Sequence, residues 1–173
     1  TSIFNVYGGS SDWNYASRSS NSMKFSTTQS GLTLDTIGIV DGSSTNTNAF
    51  DEFEVTISTK LFGSDVSVGY ADDVNSDISY WGVAGSTDLG PLNMSSSYTI
   101  YDAATDKYGL EVTASYSIFS VGYGDKEGTG LSYTAGASHS LTDSVSVYAE
   151  GEMKDLDSGS DTTSWSIGSK FTF

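Results

Sequence analysis

Apolar and polar residues alternate along most of this chain with a period of two, the mark of β-strands whose two faces meet different surroundings. The final run shows it most plainly. From Thr163 to Phe173 the chain reads T-S-W-S-I-G-S-K-F-T-F, with Trp165, Ile167, Phe171 and Phe173 on one face and Ser164, Ser166, Gly168, Lys170 and Thr172 on the other. In the preceding run Val145, Val147, Ala149 and Met153 alternate with Ser144, Ser146, Tyr148, Glu150, Glu152 and Lys154. Runs of the same kind lie at 22–27, 52–61, 66–70, 92–100, 108–117, 119–124 and 131–138. Three segments are less regular. At 3–8 either face could be the apolar one; at 31–41 the phase slips near Thr36, as a bulge would cause; and at 77–87 Tyr80 and Trp81 fall on opposite faces. Together these runs predict about twelve strands of roughly ten residues.

The links between the runs alternate in length. Long polar links are expected at 8–21, 41–50, 72–77, 102–107, 125–130 and 155–162, and short turns near 29–31, 63–65, 88–91, 117–118 and 141–143. An even strand count then leaves both termini on the short-turn side. Transmembrane barrels are built this way, with short periplasmic turns and longer outer loops. A β-sandwich also alternates along its strands, but its solvent face should carry abundant charge, whereas here the polar face is mostly Ser, Thr and Gly.

Composition sharpens the picture. The 173 residues suffice for one domain, here a single barrel over 1–173, and 19 Gly, 11 Tyr, 8 Phe and a single Pro suit strands and turns. No apolar run reaches the length of a transmembrane helix, which leaves a barrel as the route across a bilayer. The chain opens at Thr1 without a basic and apolar leader, so an exported form is expected to have lost its signal peptide. Acidic residues outnumber basic ones 22 to 7, a net charge of −15, so nucleic acid is disfavoured as a partner and cations are favoured. Without Cys there is neither a disulfide nor a thiolate metal site.

Several stretches resemble a known family. The segment 12–25, D-W-N-Y-A-S-R-S-S-N-S-M-K-F, with a turn at Ser30 and Gly31, resembles the opening of Gram-negative general diffusion porins of the α-proteobacterial type. The segment 80–90, Y-W-G-V-A-G-S-T-D-L-G, resembles a porin strand with its periplasmic turn, and the closing S-I-G-S-K-F-T-F resembles the last strand of the family. A terminal Phe on such a strand is also the ending of outer-membrane barrels generally. The resemblance implies a closed antiparallel transmembrane barrel in the bacterial outer membrane, in contact with lipid and lipopolysaccharide. Passive diffusion of small hydrophilic solutes and ions would follow. The chain departs from the family in length, because porins have 16 or more strands, and no link is long enough to fold inward as their constriction loop does. Homo-oligomerisation is a further expectation of the resemblance.

The predicted lumen-facing charges are Glu52, Glu54, Glu111, Glu150 and Glu152 on an acidic side and Lys24, Lys60, Lys154, Lys170 and Arg18 on a basic side. Charges so opposed would sort solutes by charge, with a lean to cations, or would pair with each other and stiffen a narrow barrel. Asp72, Asp73 and Asp77 form one of several acidic clusters in the long links, and oxygen-rich loops can bind Ca²⁺, although a solvated loop is the simpler reading and no cofactor is required. Trp165, Phe171 and Phe173 are expected in aromatic girdles at the membrane interfaces. His139, the single His, falls near a short turn and is expected to catalyse nothing. The sequence reads as a non-enzymatic porin-like channel. A non-conducting structural or adhesive barrel and a soluble secreted β-sandwich are the alternatives.

Overall fold

A computed structural model describes residues 22–40, 52–73, 78–102 and 107–172. They form eleven strands: β1 (Ser22–Gln29), β2 (Leu32–Ile39), β3 (Glu52–Leu61), β4 (Ser64–Asp73), β5 (Ile78–Leu89), β6 (Leu92–Asp102), β7 (Lys107–Tyr116), β8 (Phe119–Lys126), β9 (Gly130–Thr142), β10 (Val145–Leu156) and β11 (Thr162–Phe171). All eleven belong to one antiparallel sheet in sequential order, each strand paired with the next. The first predicted strand, at 3–8, lies outside the described residues.

The short connections are two-residue hairpins. Ser30–Gly31 and Phe62–Gly63 both have positive φ at the two central positions, the geometry whose twist matches that of the flanking strands. At Gly90–Pro91 only the glycine has positive φ, since the proline ring holds its own negative. The link expected at 125–130 is shorter than its composition suggests. Asp125 and Lys126 continue the ladder opposite Leu110 and Gly109, which leaves Glu127–Thr129 as a three-residue turn closed by Thr129 N–H donating to Lys126 O at 3.0 Å.

Burial runs opposite to that of a water-soluble protein. On the hydroxyl-rich face Thr99 is 3% exposed and Thr56 7%, while on the apolar face Trp81 is 55% exposed and Ile167 75%. Ile39 is the one buried hydrophobic residue among those described. A flat sheet would leave both faces equally open, so shielding of the polar side means that the sheet curls around it. Each apolar side chain forgoes roughly 1.5–3 kcal/mol of burial as long as it faces water. The fold therefore needs an apolar surrounding on its outside.

The register climbs steadily across the sheet. One row of paired residues on the polar face runs Thr28–Thr33–Ser58–Ser67–Ala84–Ser97–Glu111–Gly124–Ser132–Lys154–Thr162. It starts one pair from the short turn in β1 and β2 and ends at the last pair before the link joining β10 to β11. Barrel walls require such a stagger.

The phase slip near Thr36 is not a bulge. β2 keeps unbroken register with both neighbours, from Ser22↔Ile39 to Gln29↔Leu32 and from Leu32↔Thr59 to Ile39↔Glu52. The alternation breaks because Ile37 and Ile39 lie on the polar face beside Asp35, and Ile39 is buried there. The register shift that does occur is between β9 and β10, where Ser140 pairs with Ser146 and Thr142 with Val145, so that Leu141 is the extra residue at the short-turn rim.

Candidate functional site

The candidate site is the polar face. Its floor is made of small residues, because Gly69 pairs with Gly82, and Gly122, Gly124, Gly136 and Gly168 stand on the same side of their strands. Neighbouring polar groups fill the spaces the glycines leave. The hydroxyls of Thr134 and Ser132 occupy the places a Cβ would take at Gly122 and Gly124, and the Tyr148 phenol does so at Gly168. Hydroxyls also bond sideways along the wall, as Ser95 Oγ and Thr113 Oγ1 do at 2.6 Å. The effect is a thin wall whose polar groups lie flat against it.

Charges sit on this wall in mixed order. Lys24 Nζ is 4.0 Å from Asp35 Oδ1. Next to them Glu54 Oε1 accepts a hydrogen bond from Thr56 Oγ1 at 3.1 Å, and Glu52 stands opposite Ile39. Lys60 Nζ lies 2.9 Å from Asp65 Oδ1, both exposed beside the short turn at Phe62–Gly63. Glu111 is buried between Ser97 and Gly124. On β10, Glu150 Oε1 accepts from Ser166 Oγ at 3.0 Å, and Glu152 Oε2 is 3.3 Å from Lys154 Nζ. Lys170 is exposed near the end of β11, opposite Ser146. Arg18 lies outside the described residues.

Register adds five charges that the sequence pattern did not single out. Asp35 was hidden by the phase slip, Asp65 and Asp88 by their place in expected turns, and Lys107 and Lys126 by their place in expected long links. All five fall on the polar face. Among the described residues the polar positions of β2–β5 are mostly acidic, with Asp35, Glu52, Glu54, Asp65, Asp73 and Asp88 beside Lys60, whereas β7–β11 mix Lys107, Lys126, Lys154 and Lys170 with Glu111, Glu150 and Glu152.

Of the acidic cluster expected to hold Ca²⁺, only two positions fall within the described strands. Asp72 and Asp73 are consecutive in β4, so their positions belong to opposite faces, and Asp77 lies outside the described residues. No group of three or more potential metal ligands occurs among the described residues. His139 stands opposite Val147 on the apolar face, exposed and near the short turn.

The apolar face carries an aromatic band toward the long-link ends of the strands. Phe53 and Tyr70 rings are 5.6 Å apart, Tyr70 and Trp81 4.6 Å, Tyr98 and Tyr108 6.1 Å, and Tyr123 and Tyr133 5.6 Å. Trp165 continues this band on β11, and Phe171 stands exposed at the opposite end of the same strand. Phe173 lies outside the described residues. Amphipathic rings at this level suit a membrane interface.

A single antiparallel sheet, curled around its polar side and apolar outside, is the architecture of a β-barrel wall. Among solved structures the chain is similar to a porin refined at 1.8 Å, with a TM-score of 0.61 and 20% sequence identity over 87% of this chain. The chain spans about three-fifths of that porin's length, since the match covers 60% of it. No family model and no curated protein matches the chain. The fold is thus porin-like.

Proposed function

We propose that this protein is a small porin-like channel of the bacterial outer membrane that passes small hydrophilic solutes and ions by diffusion, with a lean to cations, without catalysing a reaction or requiring a cofactor. The observation that carries this reading is the inverted burial, in which Thr56, Ser97, Thr99 and the Glu111 side chain are buried while large apolar side chains are exposed. A soluble sandwich would bury those apolar side chains between two sheets. The lean to cations follows from the wall: Asp35, Glu52, Glu54, Asp65, Asp73, Asp88, Glu111, Glu150 and Glu152 stand against Lys24, Lys60, Lys107, Lys126, Lys154 and Lys170, nine carboxylate positions to six ammonium positions among the described residues. Insertion into a planar bilayer tests the channel directly. Stepwise conductance supports it, and folded, inserted protein that stays silent overturns it.

The reading includes closure into a barrel of twelve strands. No pairing joins β1 to β11 among the described residues. Eleven sequential antiparallel strands leave the first and the last running in the same direction, so these two edges cannot pair antiparallel with each other. One strand of opposite direction between them restores the alternation, and the run at 3–8, which precedes β1, has the required position in the chain. Because the protein has no Cys, single cysteines scanned from Ile3 to Tyr7 against one at Ser26 are expected to give an intramolecular disulfide at one position. Disulfides formed only between two molecules would show that a second copy covers the edge instead.

The ion pairs at Lys24–Asp35, Lys60–Asp65 and Lys154–Glu152 favour a second reading, a barrel filled by its own charges that does not conduct. The same bilayer experiment separates the two.

A further inference from the structure

We propose that the polar wall formed by β9, β10 and β11 is a binding site for small organic cations of the alkylammonium and quaternary ammonium type. The inference deepens the channel reading and rests on its treatment of the polar face as a water-filled interior. It stands on an aromatic ring, an oriented carboxylate and a concavity found together.

The concavity has a volume of about 520 Å³ and is bordered by Thr134, Ser138, Tyr148, Glu150 and Ser166. Tyr148 pairs with Gly168 across the strands, and its ring reaches over that glycine, filling the space a Cβ would need. The ring is thus held along the wall by a neighbour that has no side chain, yet it stays 36% exposed. An aromatic ring backed in this way offers a π-surface to whatever enters the cavity. Most of the surrounding wall is Ser, Thr and Gly, so the phenol is locally the largest apolar surface.

Glu150 follows Tyr148 by two residues on the same face of β10, a spacing of roughly 7 Å along a strand. Its carboxylate is oriented by the Ser166 hydroxyl, which donates at 3.0 Å. Glu152 lies two residues further on and is taken up by Lys154, so Glu150 is the carboxylate left to face the ring. A cation binds a ring when it sits within about 6 Å of the ring centre. An ammonium group placed between ring and carboxylate can satisfy both at once. An inorganic cation would be served by the carboxylate without the ring, and a neutral sugar would stack on the ring without needing a charge. Ring and acid together select an organic cation.

Choline chloride titrated calorimetrically into the detergent-folded protein, with ionic strength held by sodium chloride, tests the site without relying on conduction. Saturable binding is expected, weakened about 5- to 30-fold in Tyr148→Leu, as the loss of a cation–π contact of about 1–2 kcal/mol implies. Tyr148→Phe should retain it and Glu150→Gln should weaken it. Dimethylbutanol, the uncharged carbon isostere of choline, should bind far more weakly. Equal binding of choline to wild type and Tyr148→Leu overturns the proposal, as does equal or tighter binding of a neutral methyl glucoside. Failure of the site is distinguishable from failure of the channel: a protein that conducts potassium but ignores choline loses only the site, and one that binds choline but never conducts loses only the channel.

Discussion

Lysine in place of Glu52, Glu54, Glu150 and Glu152 together is expected to change the sign of the reversal potential measured across a salt gradient, from cation-leaning to anion-leaning. The substitutions turn nine wall carboxylate positions against six ammonium positions into five against ten. A low-dielectric wall focuses the field of such charges on the solution it encloses, so a change of this size should dominate ion selectivity. Glutamine at the same four positions, which gives five against six, should bring selectivity close to neutral. Screening gives an internal control. The Debye length is about 10 Å at 0.1 M salt and about 3 Å at 1 M, so the shift should be large in dilute salt and shrink in concentrated salt. Selectivity that stays put through the whole series would mean that these carboxylates do not face the pathway.

The second large effect separates two residues that are neighbours in sequence. Val83 and Ala84 are consecutive in the middle of β5; Val83 pairs with Val68 and Tyr98 on the apolar face, and Ala84 pairs with Ser67 and Ser97 on the polar one. Val83→Arg is expected to destabilise the protein by about 2–4 kcal/mol in lipid vesicles, the cost of a guanidinium near the bilayer midplane. Ala84→Arg should cost far less stability and should instead reduce conductance by occupying the interior. Urea unfolding in vesicles measures the first and planar bilayers the second. A soluble protein would show the reverse order, since Val83 is already half open to solvent and exposed substitutions usually stay within about 0.5 kcal/mol. That reverse order would sink the membrane assignment.

Much of the candidate site was legible in the chain. The faces of β3, β6, β7, β8, β10 and β11 follow from alternation alone, so Glu54, Glu111, Glu150 and Lys154 could be placed on the polar side without knowing any neighbour. Asp35 could not, because Ile37 and Ile39 share its face and disguise the phase. Lys107 and Lys126 were equally hidden, since polar residues at strand ends look like loop until the ladder opposite them is known. The signal that could have found Asp35 was the distance from the Ser30–Gly31 turn, which sets β2's face through its pairing with β1.

By itself the sequence determined that this is an all-β chain of alternating strands joined by tight hairpins, with one face apolar and the other rich in hydroxyls. These are local properties: side-chain direction repeats every two residues, and turn residues act over two or three. The tertiary structure decided what lies beside what. The support of Tyr148 by Gly168 across the longer link joining β10 to β11, and the extra residue at Leu141, depend on the stagger between adjacent strands, which the pattern within one strand does not contain. It also decided which face was shielded. Alternation is symmetric between in and out, and only curling of the sheet around its polar side turned the hydroxyls inward and left the large apolar residues facing outward.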